Sequence, residues 1–109
     1  MAYAYKVLGQ SAPSATTATD VYTVGSGKQA IVSTITVANR SATARTYRIA
    51  VRPAGAVLAN QHYLAYDVTL AANDTTALTL GITLTATDVV TVYASTTDLS
   101  FGIFGSEIS

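Results

Sequence analysis

The sequence predicts an all-β fold, an antiparallel β-sandwich of jelly-roll-like character with 7–8 strands. Three observations carry this reading. Apolar and polar residues alternate with period two in many short runs, the pattern of half-buried strands. Turn-forming clusters of Gly, Pro, Asn and Asp interrupt those runs every 8–12 residues or so, roughly the spacing of a sandwich. Thr and Val, which favour strands, are dense, and no stretch repeats with the helical period.

At 109 residues the chain is one domain, able to bury a real but thin core. It contains no Cys, so disulfides and thiolate metal sites are excluded. Charged residues make up 11% and the net charge is zero. The usual charged fraction is about 25%. Either partners cover much of the surface, or Thr, Ser, Asn and Gln supply its polarity. The six bases all lie in the first half (Lys6, Lys28, Arg40, Arg45, Arg48, Arg52). Five of the six acids lie in the second. This asymmetry either favours contacts between copies or disappears when strands interleave. No run reaches the length of a membrane span, and the start lacks the apolar core of a signal peptide, so a protein kept in the cytosol is expected.

The elements follow in order. Residues 1–19 read as an extended arm and linker, and residues 20–109 as the sandwich domain. Tyr3 to Leu8 alternates weakly, as an ordinary first strand or an arm that pairs with a neighbouring copy. Gly9 to Thr19 is linker-like. Asp20 to Val24 is a short strand, closed by the turn Gly25-Ser26-Gly27-Lys28. Gln29 to Pro53 is expected to form a central hairpin, with Ile31, Ser33, Ile35 and Val37 on one face of its first strand. Tyr47, Ile49 and Val51 line its second, with Arg48 and Arg52 opposite them. His62 to Leu70 alternates cleanly, placing Leu64, Tyr66, Val68 and Leu70 inward. Thr76 to Leu84 is a strand bent at Gly81. In Val89 to Ser95 either Val90 and Val92 face inward, or Val89, Thr91 and Tyr93. Leu99 to Phe104 is the last strand, with Leu99, Phe101 and Ile103 on one face, and Gly105–Ser109 is a tail.

Chemistry-bearing patterns are scarce. Nucleophilic catalysis needs a base beside the nucleophile, and His62, the only histidine, stands at a loop–strand junction without a nucleophile elbow. Asp74, Asp88 and Asp98 sit in turns, where Asp is favoured for local hydrogen bonds. No calcium-loop motif supports a metal site. The Gly25–Lys28 turn lacks the spacing and the following helix of a phosphate loop. The arginines belong to a neutral chain, which disfavours nucleic acid. The expectation is no enzyme, no cofactor, no metal, no membrane and no nucleic acid. Tyr3, Tyr5, Lys6, Arg45, Arg48, Arg52, Tyr63 and Tyr93 are the candidate interface residues, because Tyr covers area at low entropic cost and Arg makes ion pairs between subunits.

Several segments together resemble a family of small structural proteins of tailed bacteriophages. They are Lys6-Val-Leu-Gly-Gln10, Asp20-Val-Tyr-Thr-Val24 with its Gly25–Lys28 turn, and Ile31-Val-Ser-Thr-Ile35. Val37-Ala-Asn-Arg40 and Arg48-Ile-Ala-Val-Arg52 follow, then Thr87-Asp-Val-Val-Thr-Val-Tyr-Ala-Ser95 and Phe104-Gly-Ser-Glu107. The resemblance spans nearly the whole chain, on β patterns of low information. It implies a virion component assembled in the host cytoplasm, a homo-oligomer that contacts other virion proteins. The resemblance fixes no place in the particle; capsid decoration or cement is the first role expected. A neck, tail or fibre-associated part is the second, and a receptor- or glycan-recognition module the third.

Overall fold

The computed structural model describes residues 3–109; Met1 and Ala2, the start of the expected arm, lie outside them. Nine strands follow in order: β1 (Tyr3–Ser11), β2 (Thr19–Thr23), β3 (Gln29–Asn39), β4 (Arg45–Arg52), β5 (Tyr63–Leu70), β6 (Thr75–Leu78), β7 (Ile82–Thr85), β8 (Val89–Ala94) and β9 (Leu99–Ile108). Short 3-10 turns at Pro53–Gly55 and Asn60–His62 join β4 to β5. The first sheet runs β1-β9-β3-β6, with β7 also on β3; the second runs β2-β8-β4-β5. All strand pairs are antiparallel. With β6 and β7 counted as one interrupted strand, this interleaved order is that of a jelly roll. The predicted all-β sandwich is the fold.

The core lies between the sheets. Val24, Ile35, Val37, Ile49, Val90, Val92, Leu99 and Ile103 are fully buried there. Tyr47 meets Phe101 edge to face at 6.4 Å. Of the two registers open for β8, the one with Val90 and Val92 inward holds.

The expected central hairpin does not form. β3 belongs to the first sheet and β4 to the second, so residues 40–44 cross between layers. A strand that buries one face alternates identically in a hairpin and across such a corner, so the pattern alone does not separate the two. The corner is pinned by Asn39, which is buried. Its amide donates to the carbonyls of Thr43 at 2.9 Å and of Leu70 and Ala71 at 3.2 Å. Its Oδ1 accepts from the Ser41 amide and hydroxyl.

A fault line crosses the first sheet at Phe104. Ser33 is bulged out between Val32, opposite Gly105, and Thr34, opposite Phe104. Leu8 is bulged out between Val7, opposite Phe104, and Gly9, opposite Ile103. β6 and β7 part on the other side of β3, where Gly81 adopts φ +64°. Each extra residue flips the inside–outside parity. Ala30 and Val32 are therefore buried before the fault, Ile35 and Val37 after it, and Ile31 is turned outward. That corrects the expected Ile31–Ser33–Ile35–Val37 face. The predicted tail is also a strand: β9 continues to Ile108 between β1 and β3.

β1 is a strand of this sandwich, paired with β9 from Tyr3 to Ser11, so the sheet crosses the boundary drawn at residue 19. The linker is tied down as well: Pro13 is buried, and the Thr16 amide donates to the Ala94 carbonyl at 2.8 Å.

Candidate functional site

The sandwich has two outer faces of different chemistry. The strands of the first sheet contain two charged residues, Lys6 and Glu107. Both point to the inner side, where Lys6 Nζ lies 3.2 Å from Glu107 Oε1. Lys28 reaches the same oxygen at 3.4 Å, and the Tyr22 hydroxyl donates to Oε2 at 2.7 Å. That hydrogen bond, followed by the one from Lys6, holds the Glu107 carboxyl below its ordinary range. Burial first, then Glu107, pushes the Tyr22 phenol upward.

The outer face of the first sheet is therefore uncharged along every strand. Away from the fault it is flat and small-featured, with Thr36, Ala38, Ser100 and Gly102 at its centre. A methyl group on Gly102 would lie 2.7 Å from the Phe104 ring and 2.8 Å from Thr36 Oγ1, so the ring lies against the glycine. Beyond the fault the same face rises into an apolar crest. Tyr5 is 87% exposed, and Tyr3, Val7 and Ile31 are exposed around it. A shallow groove of about 390 Å³ runs among Tyr5, Ile31, Ser33 and Phe104, with Lys6 also in its wall.

The outer face of the second sheet carries charge, all of it fastened. Arg48 from β4 clamps Asp67 of β5, Nε to Oδ1 at 2.7 Å and Nη2 to Oδ2 at 3.3 Å. Its guanidinium lies between two rings, 4.1 Å from the centre of Tyr66 and 4.2 Å from that of Tyr93. The hydrogen bond to Asp67 raises the Arg48 pKa, and the same bond lowers that of Asp67. Tyr63 stands edge-on to Tyr66 at 4.9 Å. With Asn60 these two tyrosines line a cleft of about 260 Å³. Arg52 donates to Asp20 at 2.8 Å, to Thr91 at 3.0 Å and to the carbonyls of Gly55 and Ala56. Arg45 pairs with Asp98 at 3.2 Å.

The predicted interface residues thus fall into two groups. Tyr3, Tyr5 and Lys6 lie on β1 of the first sheet. Arg48, Tyr63 and Tyr93 gather around Tyr66 on the second, with Arg52 two turns of the pleat away on β4 and Arg45 at that strand's start. The three arginines have partners within the chain. The charge asymmetry along the sequence vanishes in space, because first-half bases meet second-half acids across strands.

Of the β5 residues expected inward, Leu70 is buried, while Leu64, Tyr66 and Val68 are exposed. β5 slips register twice against β4, between the partners of Tyr47, Ile49 and Ala50, and Asp67 adopts φ 50°. The slips turn Tyr66 and Asp67 onto the outer face. An Asp inside an otherwise alternating strand was the available signal, since Asp is depleted in regular strands. His62 is buried, and its Nδ1 accepts the Ala59 amide at 3.0 Å, which commits that nitrogen to the loop.

Compared with protein-family models, curated proteins and solved structures, the chain finds no match.

Proposed function

We propose that this chain is a non-enzymatic structural protein that works by assembly: a bacteriophage virion component, first of all a capsid decoration or cement protein. The observation that carries the reading is the uncharged outer face of the first sheet. Two faces of one sandwich share a chain that has few charges, and the charges carried by its strands serve the second face and the inner rim. A flat face of Thr, Ser, Ala and Gly with an apolar crest can be covered by a neighbour without stranding a charge. The bacteriophage setting rests on the segments quoted above from Lys6 to Glu107.

The test is quantitative mass spectrometry of purified particles, heads separated from tails. Copy number near that of the major shell protein, in the head fraction, is expected. A few copies in the neck or tail fraction would replace cement with a neck, tail or fibre-associated part. Absence from both fractions would overturn the virion reading.

One observation favours a recognition module as the second reading. The cleft of Asn60, Tyr63 and Tyr66 joins two aromatic rings to an exposed amide, a combination that suits a neutral sugar ring. The chain has no Trp, so its emission comes from seven tyrosines, and comparison with Tyr63→Ala isolates the share of the cleft. Saturable change on titration with neutral hexoses, lost in Tyr63→Ala, would support it; a flat titration would remove it.

A further inference from the structure

Resting on the assembly reading, we infer that the outer edge of β1 is a homotypic docking edge, on which a second copy of this chain pairs its own β1 antiparallel about Tyr5. β1 is the last strand on its side of the first sheet, and its sheet partner is β9. Where β1 passes the second sheet, at Gly9, the sandwich is closed: a methyl group there would collide with the Val21 carbonyl. From Ala4 to Val7 the strand runs past that closure, exposed at every residue. An exposed strand edge is a template for another strand unless something blunts it. Proline, a bulge or an unpaired charge on the edge would do so. Ala4–Val7 has no proline, its bulge lies beyond at Leu8, and the charge of the half-exposed Lys6 is matched by Glu107 at 3.2 Å.

The occupant follows from symmetry and charge. A two-fold axis perpendicular to the sheet pairs one residue of the strand with itself and keeps both outer faces on the same side. Centring on Lys6 would set two lysines directly opposite each other, which is repulsive. Centring on Tyr5 sets Tyr5 against Tyr5, an aromatic cross-strand pair, and Lys6 against Ala4. The pairing joins the two uncharged faces into one continuous sheet surface. A charged face laid beside its own copy would repel it; this one carries no charge to do so.

The experiment is sedimentation or native mass measurement of the full chain over a concentration series. The expected result is a monomer–dimer equilibrium whose dissociation constant rises at least tenfold in Tyr5→Lys. That side chain is 87% exposed, so the variant keeps the wild-type melting temperature at concentrations where both are monomeric. As the chain has no Cys, Tyr5→Cys supplies a lone thiol. It should form an interchain disulfide under mild oxidation at least tenfold faster than Thr83→Cys on the same face. A wild-type chain that stays monomeric, or a dimer indifferent to Tyr5→Lys, overturns the pairing. The two readings fail separately: a monomer that still enters particles overturns the pairing alone, and a Tyr5-dependent dimer absent from particles overturns the virion role alone.

Discussion

The two outer faces of the sandwich differ in where their energy is spent. On the second sheet, Arg48 and Arg52 each tie two or more elements of the same chain together. Their hydrogen-bonding capacity is used internally, so that face holds the fold. On the first sheet, the ion pairs of Glu107 with Lys6 and Lys28 are turned inward and the outer side is left to Thr, Ser, Ala, Gly and a few aromatic rings. Besides backbone pairing, that side is fastened by the Ser33 hydroxyl, which donates to the Phe104 carbonyl at 3.2 Å. Low total charge therefore does not describe the surface evenly. It is the result of one ordinary face and one face with none.

The largest effect is expected where the first sheet tolerates no side chain. A methyl group on Gly105 would collide with the Ile31 carbonyl across the fault. Backbone cannot yield as a side-chain tip does. Gly105→Ala should cost about 3 kcal/mol or more, read from urea unfolding. A wild-type midpoint in that variant would mean the strands at the fault separate easily. Next comes Asn39→Ala at the corner between the sheets. It strips partners from several carbonyls and from Ser41, and should cost about 2–3 kcal/mol. If the loss is instead below 1 kcal/mol or so, the corner is held by its strands and not by Asn39.

How much of this was legible in the residues can be argued from the same places. Strand existence was legible, because one buried face imposes period two whichever sheet a strand joins. Sheet membership was not, because β3 and β4 alternate the same way in a hairpin and across a corner, and the side chain that decides it, Asn39, looks like any turn asparagine. Parity after a bulge was equally hidden. The bulge at Ser33 turned Ile31 outward, and the slips in β5 turned Tyr66 outward, while neither carries a Gly or Pro to announce it. Gly81 did announce its break. The exposed tyrosines of β1 and the arginine face of β4 were legible from alternation alone. That Arg48 meets Tyr66 and Tyr93 together was not, since it depends on β5 and β8 flanking β4.

Smaller effects should come from the second face. Arg48→Ala removes a partly exposed ion pair and two cation–π contacts, each worth about 0.5–1 kcal/mol. A loss of about 1–2 kcal/mol is expected, and Arg48→Lys should recover little of it, because a point charge cannot fill the planar slot between two rings. Full recovery by lysine would show that charge alone matters there. Acid should separate the faces too. Glu107 and Asp67 both have folded-state pKa values below their ordinary ones. Their contribution is complete above the ordinary carboxylate range and is lost as the pH falls through the lower folded values. Glu107→Gln should therefore flatten the acid limb of the melting-temperature profile. An acid limb as steep as the wild type's would assign the loss to other carboxylates.

The smallest effect on stability should be the most informative about the first face. Thr36 lies at its centre, half-buried among Gly102 and the Phe104 ring. Thr36→Lys adds a long side chain that can extend into solvent, so the isolated chain should lose no more than about 0.5 kcal/mol. Covered by a neighbour, the same lysine would be a charge removed from water without a partner, which costs several kcal/mol. The two quantities therefore come apart: the melting temperature stays near wild type while incorporation into particles falls at least tenfold in competition with the wild-type chain. Equal incorporation would mean that this face stays open to solvent in the assembly, and that its lack of charge serves something other than contact. The contrast with Arg48→Ala then decides between the faces, since a surface used for holding the chain together loses stability first, and a surface used for holding neighbours loses assembly first.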